Sequence, residues 1–161
     1  INMIYEGTNT IQSLDLLGRK VLGNQGATLK KFGKLIGQLV AEEGVNEKMA
    51  EFINPIAILG EQMTKFTTEI GFKGMQNPDE VGAAAVDYLR VAGHLVFGYL
   101  FARMAQVSLR AIANGSTDPF YTAKLQTARF YFAKLFPETV LLMRTARAGS
   151  KVLMDTDAAL A

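Results

Sequence analysis

The chain has 161 residues, 49% of them apolar and 20% charged, a balance that suits one globular domain and excludes a disordered tail. Seventeen Lys and Arg against fifteen Asp and Glu leave a formal charge of +2. Residues 1–46 carry five cations and four anions, residues 47–116 six and seven, and residues 117–161 six and four, so no basic block invites nucleic acid. With no Cys and one His, disulfides, a Cys nucleophile and thiolate- or His-based metal sites are excluded, and no metal site is expected.

The chain opens Ile1-Asn2-Met3-Ile4-Tyr5-Glu6. No basic stretch precedes an apolar run, so no signal peptide is expected, and an Ile start suggests a piece of something longer. The longest apolar window, Val91 to Ala102, lies between Arg90 and Arg103. It is far shorter than the roughly 20 residues a membrane span needs, so a soluble, cytoplasmic protein is expected.

Helical spacing recurs along the chain and strand alternation does not. Thr8-Asn9-Thr10 offers capping oxygens to a short first helix with Ile11, Leu14, Gly18, Val21 and Leu22 on one face, broken at Gly23–Gly26. A second helix is expected over about 27–43, with a stripe of Leu29, Phe32, Ile36, Leu39 and Val40 and with Lys30, Lys31 and Lys34 as a solvated face. Its Gly33 and Gly37 form a small-xxx-small pair of the kind that marks close helix contact.

A third helix is expected over about 47–74, with Phe52, Ile56, Leu59, Met63, Phe66 and Ile70 inward and a bend or late start at Pro55. Asn77-Pro78-Asp79-Glu80 reads as a capped turn into a fourth helix over about 81–114. A last helix is expected from about 120 to 154, kinked at Pro137, with Leu125, Ala128, Phe132, Leu135, Thr139, Met143 and Ala146 on one side. Residues 156–161 are expected to fray. The architecture is therefore all-α: an antiparallel up-down bundle of about four long helices preceded by a short one.

Most of these residues speak of packing. His94, near Asp87 and Arg90 on one helical face, reads as a partly buried structural histidine. The aromatics Tyr121, Phe130, Tyr131, Phe132 and Phe136 lack a basic stripe and read as core or interface. One segment differs. Glu6 places a carboxylate immediately before Gly7, where a ligand can approach the backbone, and before a helix start whose free N–H groups attract anions.

Tyr5-Glu6-Gly7-Thr8 followed by Ile11-Gln12 resembles the Y-E-G-T-x-x-I-Q signature of the acyl-CoA dehydrogenase family. Asp87-Tyr88-Leu89-Arg90 with Gly93 and Gly98, and Phe120 to Lys124 continuing through Thr127 to Phe132, resemble the extended helical C-terminus of certain bacterial members, which include long-chain and 3-methylmercaptopropionyl-CoA dehydrogenase-like enzymes. The resemblance spans nearly the whole chain. It implies that residues 1–26 end the FAD-binding C-terminal bundle of a parent enzyme and that residues 27–161 form an extra helical domain.

In the family an acyl-CoA thioester is oxidised to trans-2-enoyl-CoA. The resemblance makes Glu6 the catalytic base that removes the α-proton while the β-hydride goes to FAD, and its backbone N–H part of the group that polarises the thioester carbonyl. It makes Gly7 the substrate-binding position that keeps the backbone clear for the thioester. Thr8, Asn9 and Thr10 match the stretch that touches FAD in relatives, although Thr10 stands where Gly or Gln is frequent. Implied partners are the acyl-CoA, the missing domains of the same chain, electron-transferring flavoprotein, and further copies in a homodimer or larger oligomer. The isolated segment is expected to bind FAD poorly and to turn over no substrate. The competing reading is a non-catalytic helical interaction or oligomerisation module. A bundle holding an apolar ligand or a membrane surface ranks below both.

Overall fold

Helix punctuation in the sequence sets where the elements begin and end. The computed structural model describes residues 8–155, so Glu6 and Gly7, and residues 156–161, lie outside the described residues. Helix α1 (Asn9–Leu14) runs into a π-helical stretch (Asp15–Val21) and a 3-10 turn (Leu22–Asn24). The long elements follow: α2 (Ala27–Glu43), α3 (Ala50–Gln76) entered through a 3-10 turn at Glu47–Met49, and α4 (Asp79–Ala113). Then come α5 (Pro119–Phe130), a π-helical turn (Tyr131–Leu135), α6 (Glu138–Ala146) and the short α7 (Lys151–Met154). No strand occurs among the described residues.

Local chemistry accounts for the boundaries. Asn46 Oδ1 caps the entry to α3 by accepting from the Lys48 amide, and Asn77 Oδ1 accepts from the Asp79 amide before α4. Asp118 accepts from the Phe120 amide at 2.9 Å, with Pro119 at the first helical position, where its missing N–H costs nothing. Gly26, Gly115 and Gly149 take positive φ where the chain leaves a helix or turns.

Three expectations need correction. Thr8 stands at the N-cap of α1 but its side chain makes no capping bond. Its φ of −101° and ψ of −10° are helical, which points the hydroxyl away from the free amides. Ile11 and Leu14 are exposed, while Ser13, Leu17 and Val21 are the residues of that segment that go inward. Third, the helix expected from 120 to 154 is not continuous. Pro137 cannot donate and crowds the carbonyl four residues back, so the preceding turn widens and the Phe136 amide reaches the Tyr131 carbonyl at 2.9 Å. The extra residue in that turn shifts the stripe: Tyr131 and Phe136 are buried and Leu135 is exposed. The chain turns again at Gly149 before α7.

The described residues form two compact units: 8–30, Met63–Ala92 and 140–155 make up the first, Lys31–Gln62 and Gly93–Thr139 the second. Within the first, α3 and α4 run antiparallel, with Phe66 and Thr67 beside Tyr88 and Gly74 beside Val81. The α6 segment runs antiparallel to α4, with Thr145 on Asp87 and Ser150 on Glu80. Met63, Phe66, Ile70, Ala84, Ala85, Tyr88 and Val91 are its buried apolar side chains from α3 and α4.

The second unit repeats the up-down order. Ile36 meets Gly60, Phe32 stacks edge-on against Tyr99, and Phe52 against Phe132. Gly98 is buried where α4 crosses its neighbours: a Cβ there would stand 2.8 Å from both Ile56 and Phe136. That is the close approach expected of Gly33 and Gly37, which instead face open space. The α3 stripe from Phe52 to Ile70 is buried as its spacing requires.

By length and composition α4 is the one described helix apolar enough to cross a membrane, with 33% of its most apolar stretch buried. The 12-residue window read from sequence understated it, because a longer window tolerates a flanking Arg. The same composition follows from packing: Ala84, Ala85, Tyr88 and Val91 are buried in one unit and Leu95, Ala102 and Ala105 in the other.

Candidate functional site

The segment that carries the sequence motif enters the described residues at Thr8. Thr8, Asn9 and Thr10 are exposed. Their carbonyls are partly used locally: Thr8 O accepts from the Gln12 amide at 2.7 Å and Thr10 O from the buried Ser13 hydroxyl at 2.7 Å. Their side-chain oxygens and the Asn9 amide make no hydrogen bond among the described residues. One turn on, hydrogen bonds from Arg19 and Lys20 lower the pKa of Asp15, outweighing its desolvation.

Beyond this segment lies a cleft of about 790 Å³, within the usual range for ligand pockets. Gly18, Leu22, Gln25, Gly26, Leu29 and Lys30 form one wall, and α3 from Thr64 to Met75 with Val81 of α4 the other. Its hydroxyls are largely spent: Thr67 donates to Met63 O at 2.7 Å and Thr68 to Thr64 O at 3.1 Å. The Tyr88 hydroxyl lies 2.7 Å from Thr67, and burial raises its pKa. A smaller hollow of about 520 Å³ lies by Leu14, Pro78 and Ser150.

The first unit also carries two ionic clusters. Glu80 accepts from both the amide and the hydroxyl of Ser150, which lower its pKa, and Asn77 donates to that hydroxyl. Glu69 is held low chiefly by Lys73, with Arg147 helping against the desolvation cost, and the Arg147 guanidinium lies 4.8 Å above the Phe66 ring.

In the second unit His94 is half-buried. Its Nδ1 lies 3.0 Å from the Tyr131 hydroxyl and its Nε2 3.2 Å from a Glu138 carboxylate oxygen. The Tyr131 hydroxyl donates in turn to the His94 carbonyl, and burial pushes its pKa up to about 12. The structural reading of His94 holds, with Tyr131 and Glu138 as its partners. Asp87, expected beside it, accepts instead from Thr145. Glu43, which the stripe analysis passed over, is buried and accepts from Gln106, Asn46 and Arg110. Burial alone would raise its pKa, but those three donors bring it below the ordinary value.

These clusters position helices. Among the described residues no group of His, Asp and Glu could hold a metal ion. Thr8, Asn9 and Thr10, expected from the resemblance to touch FAD, are exposed, and the sequence did not single out Lys30 as the cation of a cleft. Nor did it find the Glu43 network, although Gln106 and Arg110, four apart on α4, form a matching donor pair.

A family model described as acetyl-CoA dehydrogenase C-terminal like matches residues 29–157. The chain is 32% identical to 3-methylmercaptopropionyl-CoA dehydrogenase of Ruegeria pomeroyi over 84% of its own length and 23% of the relative's. It is 24% identical to the broad-specificity linear acyl-CoA dehydrogenase FadE5 of Mycobacterium tuberculosis over 99% of the chain and 28% of the relative. A butyryl-CoA dehydrogenase of Syntrophomonas wolfei is 27% identical over 96% of the chain and 26% of the relative. The chain thus spans about a quarter of the length of the curated relatives it matches.

Proposed function

Because the chain belongs to the acetyl-CoA dehydrogenase C-terminal-like family, we propose that it is the C-terminal part of a flavin-dependent acyl-CoA dehydrogenase, with Glu6 as the base. The observation that carries this reading is the match over residues 29–157, with the Tyr5-Glu6-Gly7-Thr8 motif upstream of it in the same chain. In the reaction, the Glu6 carboxylate takes the α-proton of the acyl thioester, and the β-carbon loses a hydride as the 2,3 double bond forms. FAD, when bound, supplies the two-electron acceptor for that hydride.

The donor set of the described residues fits such a cofactor. Thr8, Asn9 and Thr10 are exposed, and their side-chain hydrogen-bonding atoms are unspent among the described residues, as contacts to a polar cofactor would require. Gly7 leaves the thioester room beside the backbone, and a Glu6 carboxylate enclosed beside an acyl chain gains basicity by desolvation. Residues 1–26 belong, on this reading, to the FAD-binding bundle and residues 27–161 to an appended helical domain, which agrees with the start of the family match at residue 29. An acyl-CoA substrate, electron transfer to electron-transferring flavoprotein, a homo-oligomeric cytoplasmic enzyme and an inactive isolated segment complete the proposal.

The test is the visible spectrum of the full-length protein before and after anaerobic addition of acyl-CoAs. A flavin spectrum bleached by one chain-length class is expected. Glu6→Gln is expected to keep the flavin spectrum and abolish bleaching. A colourless protein that takes up no added FAD overturns the flavoenzyme reading and leaves the non-catalytic helical module. Full activity of Glu6→Gln moves the base elsewhere.

A further inference from the structure

The cleft of the first unit is polarised along its length. Leu22 packs on Gly71 and Ile36 on Gly60, so the chain from Leu22 onward runs antiparallel to α3, which sets Lys30 toward the Thr64 end of the lining. Lys30 is exposed, and while its amide donates to the Gly26 carbonyl, its side chain carries neither ion pair nor hydrogen bond among the described residues. Toward the other end, the large apolar side chains of Phe72 and Met75 are 64% and 74% exposed among the described residues and line the cleft together with Gly18 and Val81. From Thr64 to Met75 on α3 the cleft measures about 16 Å at 1.5 Å per residue.

Glycine opens this space. A Cβ on Gly18 would meet nothing within 4 Å, and one on Gly71 only the tip of Leu22. Because the oxygens of Thr67 and Thr68 are already bonded to α3 carbonyls, they make few demands on an occupant. A cation at one end and an unbranched apolar trough beyond it complement one kind of molecule: a single aliphatic chain with an anionic head.

We propose that this cleft binds a free single-chain amphiphilic anion, its head at Lys30 and its chain along Leu22, Phe72 and Met75. The cleft lining shares no residue with the Tyr5-Glu6-Gly7-Thr8 motif, and the proposal needs no flavin and does not rest on the dehydrogenase reading. Apolar walls supply most of the affinity, since it grows with each methylene buried, and Lys30 supplies the preference for charge.

The experiment is calorimetric titration of the full-length protein with decanoate and with uncharged decanol, below the concentration at which either aggregates. Saturable one-to-one binding of decanoate is expected. Lys30→Gln should weaken decanoate about two- to fivefold, as a half-exposed ion pair allows, and leave decanol unchanged. Gly18→Leu, which fills the trough without a clash, should weaken both. Lys34→Gln should weaken neither. The proposal is overturned by an absence of saturable binding, by equal effects of Lys30→Gln and Lys34→Gln, or by indifference to Gly18→Leu. Adsorption to anionic vesicles without saturable decanoate binding would assign the cleft to a bilayer surface and overturn it equally.

Discussion

Replacing Glu43 with Gln tests the energetics of the second unit most directly. The Glu43 carboxylate is 5% exposed and accepts from Gln106 at 2.6 Å, from Asn46 at 2.8 Å and from the Arg110 guanidinium. Gln keeps the shape but removes the charge and turns one acceptor into an NH₂ donor. The one oxygen left can serve either Gln106 and Arg110, which share Oε1, or Asn46, which takes Oε2, so at least one donor in this part-buried network loses its partner. Leaving a buried polar group unsatisfied costs about 1–3 kcal/mol. Removing one partner of a fully buried ion pair costs about 3–5 kcal/mol. Arg110 is 61% exposed, so water compensates much of its loss, and the lower range applies. We expect Glu43→Gln to destabilise by about 2 kcal/mol at pH 7. In urea, with a slope of about 2 kcal/mol per M, that is a midpoint about 1 M lower with an unchanged slope.

The pH dependence supplies an independent check on the same residue. The folded-state pKa of Glu43 is depressed below its ordinary value of 4.5. Its contribution is therefore fully present above that value and is lost as the pH falls through the folded pKa. The variant should show a shallower loss of stability below about pH 4.5 than the wild type. Glu42→Gln is the control: its carboxylate is half-exposed, reaches Gln106 only at 3.3 Å and Arg103 at 3.5 Å, and should cost at most about 0.5 kcal/mol. A midpoint shift for Glu43→Gln no larger than for Glu42→Gln, or an unchanged acid limb, would refute the reasoning.

Gly98→Ala should destabilise by about 1–3 kcal/mol, read as a lower Tm, because its Cβ would press on Ile56 and Phe136 at 2.8 Å. Gly37→Ala, with open space around it in α2, should instead raise stability by up to about 1 kcal/mol through helix propensity. Tyr88→Phe removes a hydroxyl that lies on Thr67. Since Thr67 keeps its own bond to Met63 O, the loss should be only about 1 kcal/mol by chemical denaturation. Ser150→Ala strips Glu80 of the hydroxyl that helps lower its pKa, so less stability should be lost on acidification through that carboxylate, a change visible in urea midpoints measured between pH 3 and 6.

Periodicity was enough to establish the helices and most of the core, because a stripe at 3.6 residues per turn leaves one way to bury Phe52, Ile56, Met63 and Phe66 together. The capped turn at Asn77 was equally local and was read from the sequence, and the Glu6 motif is a property of the chain alone, whereas the caps at Asn46 and Asp118 were not singled out. Other features depended on neighbours distant in sequence. Pro137 announces a kink, but only packing of Tyr131 and Phe136 against α4 selects the wide turn that turns Leu135 outward. Gly33, Gly37 and Gly98 are alike in sequence, and the close approach is made at Gly98 because Ile56 and Phe136 converge there. Glu43 is charged and would be placed in water by composition. Donors from α4, more than sixty residues on, make its burial tolerable. Lys30 looked like one of three lysines on a wet face, and only the wall of α3 opposite makes it the charged end of a cleft.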